Sequence, residues 1–460
     1  MAVLLLGGCV GFSPDGGFTA VQSLTKERIG KDVEWARDDT GVHSARSLVD
    51  QLLAAPLTVD DAVQVALLNN RGLQATYAEL GIAESDLVQA GRLRNPGFSF
   101  ARLRRGDELA IERLVMVDFL GLLTMPLAVR LERQRFAQTQ GRVAMEVLQV
   151  AAETRRAYLN AVSAQETVNY MEQVKLAAAA SAELARRMAA VGNWSRLNQA
   201  REQLFYAETT AQLARARQTA IGERERLIRL MGLWGEDTRF RLPQRLPDLP
   251  GAPQEAADLE ARALRDRLDV QGAKQDAERI AASLGLTRAT GFINVLEIGY
   301  QHNSETGQPT QRGYEIEVRL PLFDWGGART AKAEHIYMQS VNRAAATAVN
   351  ARSEVREAYS AYRTAFDLAR HYRDEIVPLR KKISDENLLR YNGMLISVFE
   401  LLADSRAQVL SVNAYIEALR NFWVAESGLQ MALTGSSRGG PAPSLGAQTP
   451  AMSGGAAAGH

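Results

Sequence analysis

Side chains that could do chemistry are present in this sequence, but they are not spaced for catalysis. No histidine has a second histidine four residues away, which is the spacing that turns two ligands toward one zinc ion on a helix. The five histidines are His43, His302, His335, His371 and His460. The sequence also lacks a Gly-x-x-x-x-Gly-Lys phosphate loop. It therefore predicts neither an enzyme nor a protein with a cofactor or a bound metal.

The only cysteine stands in a context suited to lipid attachment. Cys9 ends the run Leu-Leu-Leu-Gly-Gly-Cys at residues 4–9, which looks like the Leu-x-Gly-Cys lipobox of bacterial lipoproteins. Such a site needs small residues before the cleaved bond and a thiol to carry diacylglycerol. We expect a lipidated N-terminus at Cys9, preceded by a short leader at residues 1–8. The alternative is an ordinary buried cysteine in an apolar segment.

Composition favours long helices over a compact catalytic core. The 460 residues include only 14 prolines and 7% aromatic residues, with long stretches rich in Ala, Arg, Glu, Leu and Gln. The 54 basic and 53 acidic residues nearly balance, so no basic surface for nucleic acid is indicated.

The chain divides into segments of different character. Residues 9–55 are Gly-rich and then polar, and are interpreted as an extended arm. Two similar halves follow at 56–232 and 255–435, joined by a proline-rich linker at 233–254. The Gly/Ala/Ser/Pro-rich tail at 436–460 is expected to be disordered.

The two halves are an internal duplication. Five residues recur at one offset of 201 positions, which indicates equivalent helices in the two halves. The pairs are Glu153 and Glu354, Arg155 and Arg356, Ala157 and Ala358, Tyr158 and Tyr359, and Gly192 and Gly393.

Each half has the same order of predicted elements. In the first, a helix over about 58–93 precedes two strands, a long helix over about 126–190, a turn at 192–193 and a return helix to about 232. In the second, helices begin near 255 and 328, the turn is at 392–393, and the return helix ends near 434. A helix of roughly 65 residues is about 100 Å long, too long for a compact domain.

The first long helix carries an apolar stripe at alternating spacings of four and three residues, which is typical of a coiled-coil seam. Most of its residues are small, so neighbouring helices can approach closely. The stripe consists of Val143, Val147, Val150, Thr154, Ala157, Ala161, Ala164, Val168 and Met171.

Alternating apolar and polar residues mark the predicted strands. Apolar Tyr314, Ile316 and Val318 alternate with Glu315 and Glu317, and segments near 109–117 and 296–301 behave similarly. This pattern suits a barrel wall between lipid and water. A hairpin half-buried against protein has the same alternation. Four strands cannot enclose a water-filled lumen, so several copies must share one barrel.

The duplicated helix–hairpin–long helix–turn–helix unit resembles the TolC-like outer-membrane efflux protein family, over about residues 56–435. The motifs that carry this resemblance are Leu-Thr-Val-Asp-Asp-Ala-Val at 57–63, Asn-Asn at 69–70, Asn-Pro at 95–96, Leu-Pro-Leu-Phe-Asp-Trp-Gly-Gly at 320–327 and Tyr-Asn-Gly at 391–393. With Cys9 followed by Asp-Gly-Gly-Phe at 15–18, the chain looks like the lipoprotein branch of that family.

The resemblance implies a mainly α fold with a small β part. Duplicated long helical hairpins would form an α-barrel in the periplasm, and four strands per chain would contribute to a twelve-stranded transmembrane β-barrel shared by a homotrimer. The expected place is the bacterial outer membrane, in contact with its lipid, and the expected partners are a periplasmic adaptor protein and an inner-membrane efflux pump.

Site residues are expected at the turns between the long helices and just beyond the second turn. Gly192, Asn193, Gly393 and Met394 would form the periplasmic tip that docks the adaptor, with the glycines supplying positive φ. Some family members carry a pair of Asp residues after the second tip, and equivalent spacing here gives Phe399 and Leu402.

Two gates are compatible with this spacing. Glu400 and Asp404 lie four apart on one helix face and would form two acidic rings in a trimer. Both could instead face solvent outside the tunnel, while Phe399 and Leu402 close it by apolar contact.

The function expected from the resemblance is a passive exit duct of a tripartite efflux system. The alternatives are an outer-membrane duct for protein secretion and, with less support from the strand pattern, a soluble periplasmic coiled-coil scaffold. Metal, drug and polypeptide cargo are not distinguished by these residues.

Overall fold

The computed structural model describes residues 11–255, 257–289, 296–318, 325–396 and 398–435. The lipidation candidate Cys9, the leader at 1–8 and the tail at 436–460 lie outside these ranges. Helices make up most of the described chain, and a single four-stranded sheet accompanies them. None of these helices contains a stretch that is both long and apolar enough to cross a bilayer.

The first half consists of two short helices, a strand pair and a long helical hairpin. Its elements are α3 (Val59–Asn69), α4 (Arg71–Ala90), β1 (Gly97–Arg105), β2 (Glu108–Asp118), α5 (Phe119–Ala190) and α6 (Arg196–Met231). They follow two helices nearer the N-terminus, α1 (Phe18–Ile29) and α2 (Asp39–Ala54).

The second half repeats this order, which confirms the predicted mainly α architecture with a small β part. Its elements are α7 (Leu259–Asp266), α8 (Leu268–Ala289), β3 (Leu296–Glu305), β4 (Gln311–Val318), α9 (Gly327–His371), α10 (Val377–Asn392) and α11 (Val398–Thr434). A π-helical turn, Tyr372–Ile376, lies between α9 and α10, whereas α5 is uninterrupted.

The extended arm predicted for residues 9–55 is wrong, because this segment forms α1 and α2 and folds onto the long helices. Phe18 is buried and its ring packs edge-on against Tyr77 of α4, with 4.9 Å between centroids. The amide of Gln140 in α5 donates to the carbonyl of Gly17. Glycines at positions 16 and 17 take positive φ and allow the chain to turn into α1. The Gly-rich composition thus marks a helix entry.

The first helix of each half is broken, where an unbroken helix was predicted. Between α3 and α4, the side chain of Asn70 caps α4 by accepting from the amide of Leu73 at 3.0 Å. The Asn69 amide donates to the carbonyls of Met231 and Gly232 at 3.0 and 2.8 Å, and so caps the end of α6. The break lets two adjacent asparagines serve two different helix ends.

A buried arginine makes the corresponding joint in the second half. Arg267 lies between α7 and α8 and is 1% exposed. Its guanidinium pairs with Asp269 at 2.7 Å and with Glu354 of α9 at 2.8 Å, and it donates to the carbonyl of Ala432 at the end of α11. The charge is buried but paired on two sides, the condition under which a buried ion is tolerated.

The long helix α5 begins earlier than predicted, at Phe119 instead of near Pro126. Asp118 ends β2 and caps the helix by accepting from the amide of Gly121 at 2.7 Å. Pro126 lies inside the helix, in its third turn. The 72 residues give a rod of about 110 Å. The predicted stripe is confirmed as a seam, because Val143, Val147 and most of its other members are buried.

The proline-rich linker at 233–254 is a strap that is fixed to both halves. The amide of Leu57 donates to the carbonyl of Arg241 at 2.8 Å, and the indole of Trp423 donates to the carbonyl of Pro247 at 3.0 Å. Glu166 of α5 accepts from the amide of Leu246 at 3.0 Å, and burial raises the pKa of this carboxyl. The strap therefore fastens α5 and α11 to one another.

The sheet is antiparallel throughout, with the order β1-β2-β3-β4. Its register aligns Phe98 with Val115, Val115 with Tyr300, and Tyr300 with Tyr314. A row of apolar side chains therefore crosses all four strands on one face. Among the described residues, β1 and β4 each pair along one side only, so they form the two edges of this sheet.

Substitutions of glycine can test how closely the end of α6 packs against the end of α3. Gly232 and Gly30 are both helix C-caps with φ near +65°. A Cβ on Gly232 would lie 2.6 Å from the carbonyl oxygen of Asn69, whereas a Cβ on Gly30 would meet no atom within 4 Å. We expect Gly30→Ala to cost about 1 kcal/mol for its left-handed backbone, and Gly232→Ala to cost about 1–3 kcal/mol more. Thermal unfolding of the purified variants measures both, and equal losses would contradict the close approach.

Candidate functional site

The predicted tip residues lie at the ends of the two helical hairpins, at the opposite end of α5 from the sheet. Gly192 has φ +80° and ends the first hairpin's outgoing helix. The amide of Asn193 donates to the carbonyl of Met188 at 2.9 Å, which is the six-to-one bond of a Schellman turn. Ser195 then caps α6 by accepting from the amide of Asn198. The turn geometry predicted for Gly192 is therefore present.

The second tip differs from its prediction by one residue. Gly393 has φ −81°, and it is Met394 that takes the left-handed conformation, at φ +59°. The Schellman bond runs from the amide of Leu395 to the carbonyl of Arg390 at 2.8 Å. The structural equivalent of Gly192 is thus Met394, at an offset of 202 instead of 201. The π-helical turn Tyr372–Ile376 explains the shift, because a π-turn accommodates one residue more than an α-turn.

Apolar side chains at both tips are exposed to solvent instead of packing in a helix seam. Met394 is 93% exposed and carries the strain of a left-handed backbone, which costs about 1 kcal/mol. Strain and exposed apolar area together are typical of a surface that contacts another molecule. The exposed apolar residues of the tips are Val191, Leu197, Leu389, Met394 and Leu395.

The candidate gate residues do not share one environment. Glu400 is exposed, Leu402 is half-buried, and Asp404 is only 8% exposed, with one carboxylate oxygen that has no hydrogen-bond partner among the described residues. The helix places Phe399 in the first turn of α11, and its side chain lies outside the described part. Two stacked rings need Glu400 and Asp404 to face the same solvent-filled space. The burial of Asp404 inside the protomer contradicts that arrangement.

An ion pair near the tip, with a buried carboxylate and a half-buried arginine, was not predicted from the sequence. Glu202 of α6 is 2% exposed, and its carboxylate accepts from Ser181 at 2.8 Å and pairs with Arg406 of α11 at 3.0 Å. The Arg406 guanidinium also stacks over the ring of Phe205 at 4.4 Å. The pair connects the first hairpin to the second. The sequence feature that could have revealed this pair is the position of Glu202. It lies on the same seam of α6, with spacings of four and three residues, as Thr209 and Leu213.

At the other end of the molecule, the two faces of the sheet are opposite in character. The face that carries Val115, Tyr300 and Tyr314 is apolar and exposed, and Tyr314 is 85% exposed. We call it the apolar face. Side chains alternate along a strand, so the intervening residues share the other face. That face, the acidic face, carries all seven carboxylates of the four strands: Glu108, Glu112, Asp118, Glu297, Glu305, Glu315 and Glu317.

Three of these carboxylates are directly opposite one another. The register pairs Asp118 with Glu297 and Glu297 with Glu317. Like charges opposite each other on neighbouring strands destabilise a sheet. Asp118 is partly compensated by Arg94 at 3.3 Å. Within the described ranges, no three His, Cys, Asp or Glu side chains converge in a way that would hold a metal ion. The acidic face is therefore a field of negative charge without a chelating site.

The ion pair near the tip can be tested against an exposed pair on the same hairpin. Arg406→Met leaves the buried Glu202 carboxylate with Ser181 alone, and we expect a local cost of about 3 kcal/mol. Arg217→Met removes an exposed partner of Glu172 and should cost less than about 1 kcal/mol. Hydrogen exchange of amides at 198–206 and 402–410 reads out local opening. Adding Glu202→Gln to Arg406→Met should restore most of the protection, and equal effects of the two arginine variants would contradict a buried link.

Comparison with known proteins relates this architecture to channels. No family model matches the chain. It is 26% identical over 301 residues to the cobalt-zinc-cadmium resistance protein CzcC of Cupriavidus metallidurans, which covers 63% of this chain and 68% of that protein.

Solved structures with the same fold are outer-membrane channels. The crystal structure of CusC, described in terms of folding and transmembrane channel formation, matches with a TM-score of 0.68 and 17% identity over 82% of this chain and 92% of that one. The outer membrane protein VceC of Vibrio cholerae matches with a TM-score of 0.68 and 15% identity over 83% and 97%. The open-state MtrE channel of Neisseria gonorrhoeae matches at 0.67 and 16% over 83% and 89%. The chain therefore has the fold of TolC-like outer-membrane efflux channels, and its sequence is similar to that of CzcC.

Proposed function

We propose that three copies of the chain form a passive duct through the outer membrane that releases cations from an efflux system. The observation that carries this proposal is the separation of the two faces of the sheet. One face is apolar and exposed, and the other carries all seven carboxylates of the described strands. A wall of this kind suits lipid on one side and a cation-conducting solution on the other.

The free edges of the sheet support assembly of several copies. The edge strands β1 and β4 present backbone groups that pair with no other described strand of the same chain. Inside a bilayer such groups must find partners, because no water is available there. If β1 of one copy pairs with β4 of the next, three copies supply twelve strands, and all the edges are closed. The α5–α6 and α9–α11 hairpins of the three copies would then surround one continuous space.

The charge of the acidic face supports cations as the substrate class. Seven carboxylates stand against one arginine, Arg105, on that face, which gives a net charge of −6 per chain. Asp118, Glu297 and Glu317 place like charges opposite one another on three neighbouring strands, and a pore that attracts cations would account for this arrangement. CzcC is named for resistance to cobalt, zinc and cadmium. Both observations favour divalent metal ions as cargo, and efflux over the protein-secretion alternative.

The tips would dock a periplasmic adaptor and, through it, an inner-membrane pump. Five exposed apolar residues cluster at the two hairpin ends, farthest from the sheet. Gly192 and Asn193 shape the first tip, and Gly393 and Met394 the second. Phe399, Glu400 and Leu402, near the second tip, are the remaining candidates for lining the narrow end. At the membrane end, diacylglycerol on Cys9 would add an anchor to that of the sheet.

The cation proposal is tested by single-channel recording in planar bilayers. The triple variant Glu112→Gln, Glu297→Gln, Glu317→Gln removes three carboxylates per chain from the acidic face, nine per trimer. We expect the cation-to-anion permeability ratio to fall at least about twofold. Relief of the like charges between Glu297 and Glu317 should keep the trimer as stable as before.

The matched control changes the same number of charges on the other face of the same sheet. Arg102→Gln, Arg113→Gln and Arg312→Gln together should leave the selectivity unchanged, because these side chains point away from the proposed lumen. Unchanged selectivity in the carboxylate variant, or an equal change in the arginine variant, would contradict the proposal.

Docking is tested at Met394, where stability and function are expected to change in opposite directions. Met394→Gly removes the strain of the left-handed backbone and should stabilise the tip by about 1 kcal/mol. It also removes a fully exposed apolar side chain, so co-purification of the co-expressed adaptor should decrease. Gly393→Ala is the control, because a Cβ there would be 3.6 Å from its nearest neighbours and φ is negative. Undiminished adaptor binding by Met394→Gly would refute docking through this residue.

A further inference from the structure

The apolar face of the sheet ends in a group of arginines that the duct function does not use. Arg102, Arg104, Arg113 and Arg312 all belong to this face by the register and alternation of the strands. The first two lie on β1, next to the turn that joins it to β2, and Arg312 is the second residue of β4. We call these four residues the arginine belt. Arg102, Arg104 and Arg312 are exposed, and Arg113 is half-buried.

The belt crosses the sheet from one edge to the other. Arg113 of β2 is paired in register with Phe100 of β1, and Arg312 of β4 with His302 of β3. The guanidinium of Arg113 lies 3.4 Å from Nδ1 of His302. Basic or imidazole groups therefore occur on three neighbouring strands in one row, and Arg102 and Arg104 extend the same face on β1 toward the turn. Arg104 donates to the carbonyl of Gly106 there.

No carboxylate shares this face in the described residues of the four strands. All seven carboxylates belong to the acidic face, and only one arginine of these strands, Arg105, accompanies them. Interspersed charges of both signs are the normal state of a solvated surface. Because the carboxylates and these four arginines lie on opposite faces, the negative charges that balance the arginines have to come from outside the sheet.

The position of the belt relative to the apolar surface indicates where those counter-charges are. Phe98, Val115, Tyr300 and Tyr314 form the row immediately before it, with 5.7 Å between the ring centroids of the two tyrosines. Aromatic residues form girdles at both borders of the apolar band of outer-membrane barrels. Arg312 lies six residues from Val318 along β4, about 20 Å of strand. The aromatic row therefore lies between the belt and the rest of the apolar surface.

We infer that the arginine belt binds the phosphate groups of glycolipid headgroups in the outer leaflet of the outer membrane, that is, of lipopolysaccharide. The helices extend into the periplasm, so the strand ends that carry the belt face the cell exterior. A guanidinium holds a phosphate through two parallel N–H···O bonds and stays charged at every physiological pH. Arg102 and Arg113 are diagonal neighbours on β1 and β2, about 7–8 Å apart, and side chains as long as arginine can reach one shared phosphate from there.

The experiment uses the full-length protein purified in detergent and titrated with lipopolysaccharide, with binding read from native mass spectra and from the shift in thermal stability. The wild type should bind phosphorylated lipopolysaccharide, and the triple variant Arg102→Gln, Arg113→Gln, Arg312→Gln should bind at least about tenfold more weakly. Lipopolysaccharide whose lipid A has been dephosphorylated should bind the wild type as weakly as the native lipid binds the variant. This second comparison needs no substitution, so it holds even if the variant folds poorly.

Two controls separate this inference from the duct itself. Arg105→Gln removes a charge at the same turn but on the acidic face, and should bind lipopolysaccharide like the wild type. Inorganic phosphate at millimolar concentration should not displace the lipid, because binding to a membrane-anchored headgroup also uses the adjacent apolar face. Equal binding by wild type and triple variant, or equal loss in Arg105→Gln, would overturn the inference. Cation selectivity is recorded on the same variants, so failure here leaves the duct proposal standing on its own test.

Discussion

The packing of one long helix along a seam of small side chains is the interaction on which the rest of this structure depends. Ala157, Ala161, Ala178, Ala182 and Ala185 of α5 are all buried, and their small size lets the neighbouring helices approach closely over most of its length. Spacings of four and three residues keep the seam continuous only if the helices wind around each other in a left-handed sense. A rod of about 110 Å built in this way joins the sheet to the first tip without a flexible joint.

The structure departs from this apolar packing at two places where carboxylates occupy costly positions. Glu202 replaces an apolar residue on the seam of α6 and is neutralised by an arginine from the other hairpin. Glu297 stands between two other carboxylates on the acidic face. Each arrangement costs free energy of folding, through desolvation in the first case and like-charge repulsion in the second. Local rules of stability are broken in this way mainly at functional sites.

The sequence alone predicts the helices and strands in which apolar residues recur at a regular spacing over many residues. The seam of α5 and the alternation at Tyr314 and Ile316 were visible because burial on one face repeats over many residues. The predictions from the sequence are wrong where one or two residues determine the course of the backbone. Gly16 and Gly17 were interpreted as part of an extended arm, whereas their positive φ starts a helix. Asn69 and Asn70 break a helix because their side chains are bonded to a helix 160 residues away, which no local pattern contains.

The second tip shows how a correct inference from repeats can give a wrong residue. Gly192 and Gly393 match at the same offset as Glu153 and Glu354, so the glycine was expected to hold the left-handed turn. The π-turn at Tyr372–Ile376 lies between the matched helix segment and the tip and uses one additional residue. The backbone therefore reaches the turn one position later, at a methionine that has to adopt φ +59°. A constant sequence offset identifies equivalent residues in the two halves, but the position of a turn depends on how many residues each helical turn contains. One inserted residue is enough to move the strain, and with it an exposed apolar side chain, to the apex of the second hairpin.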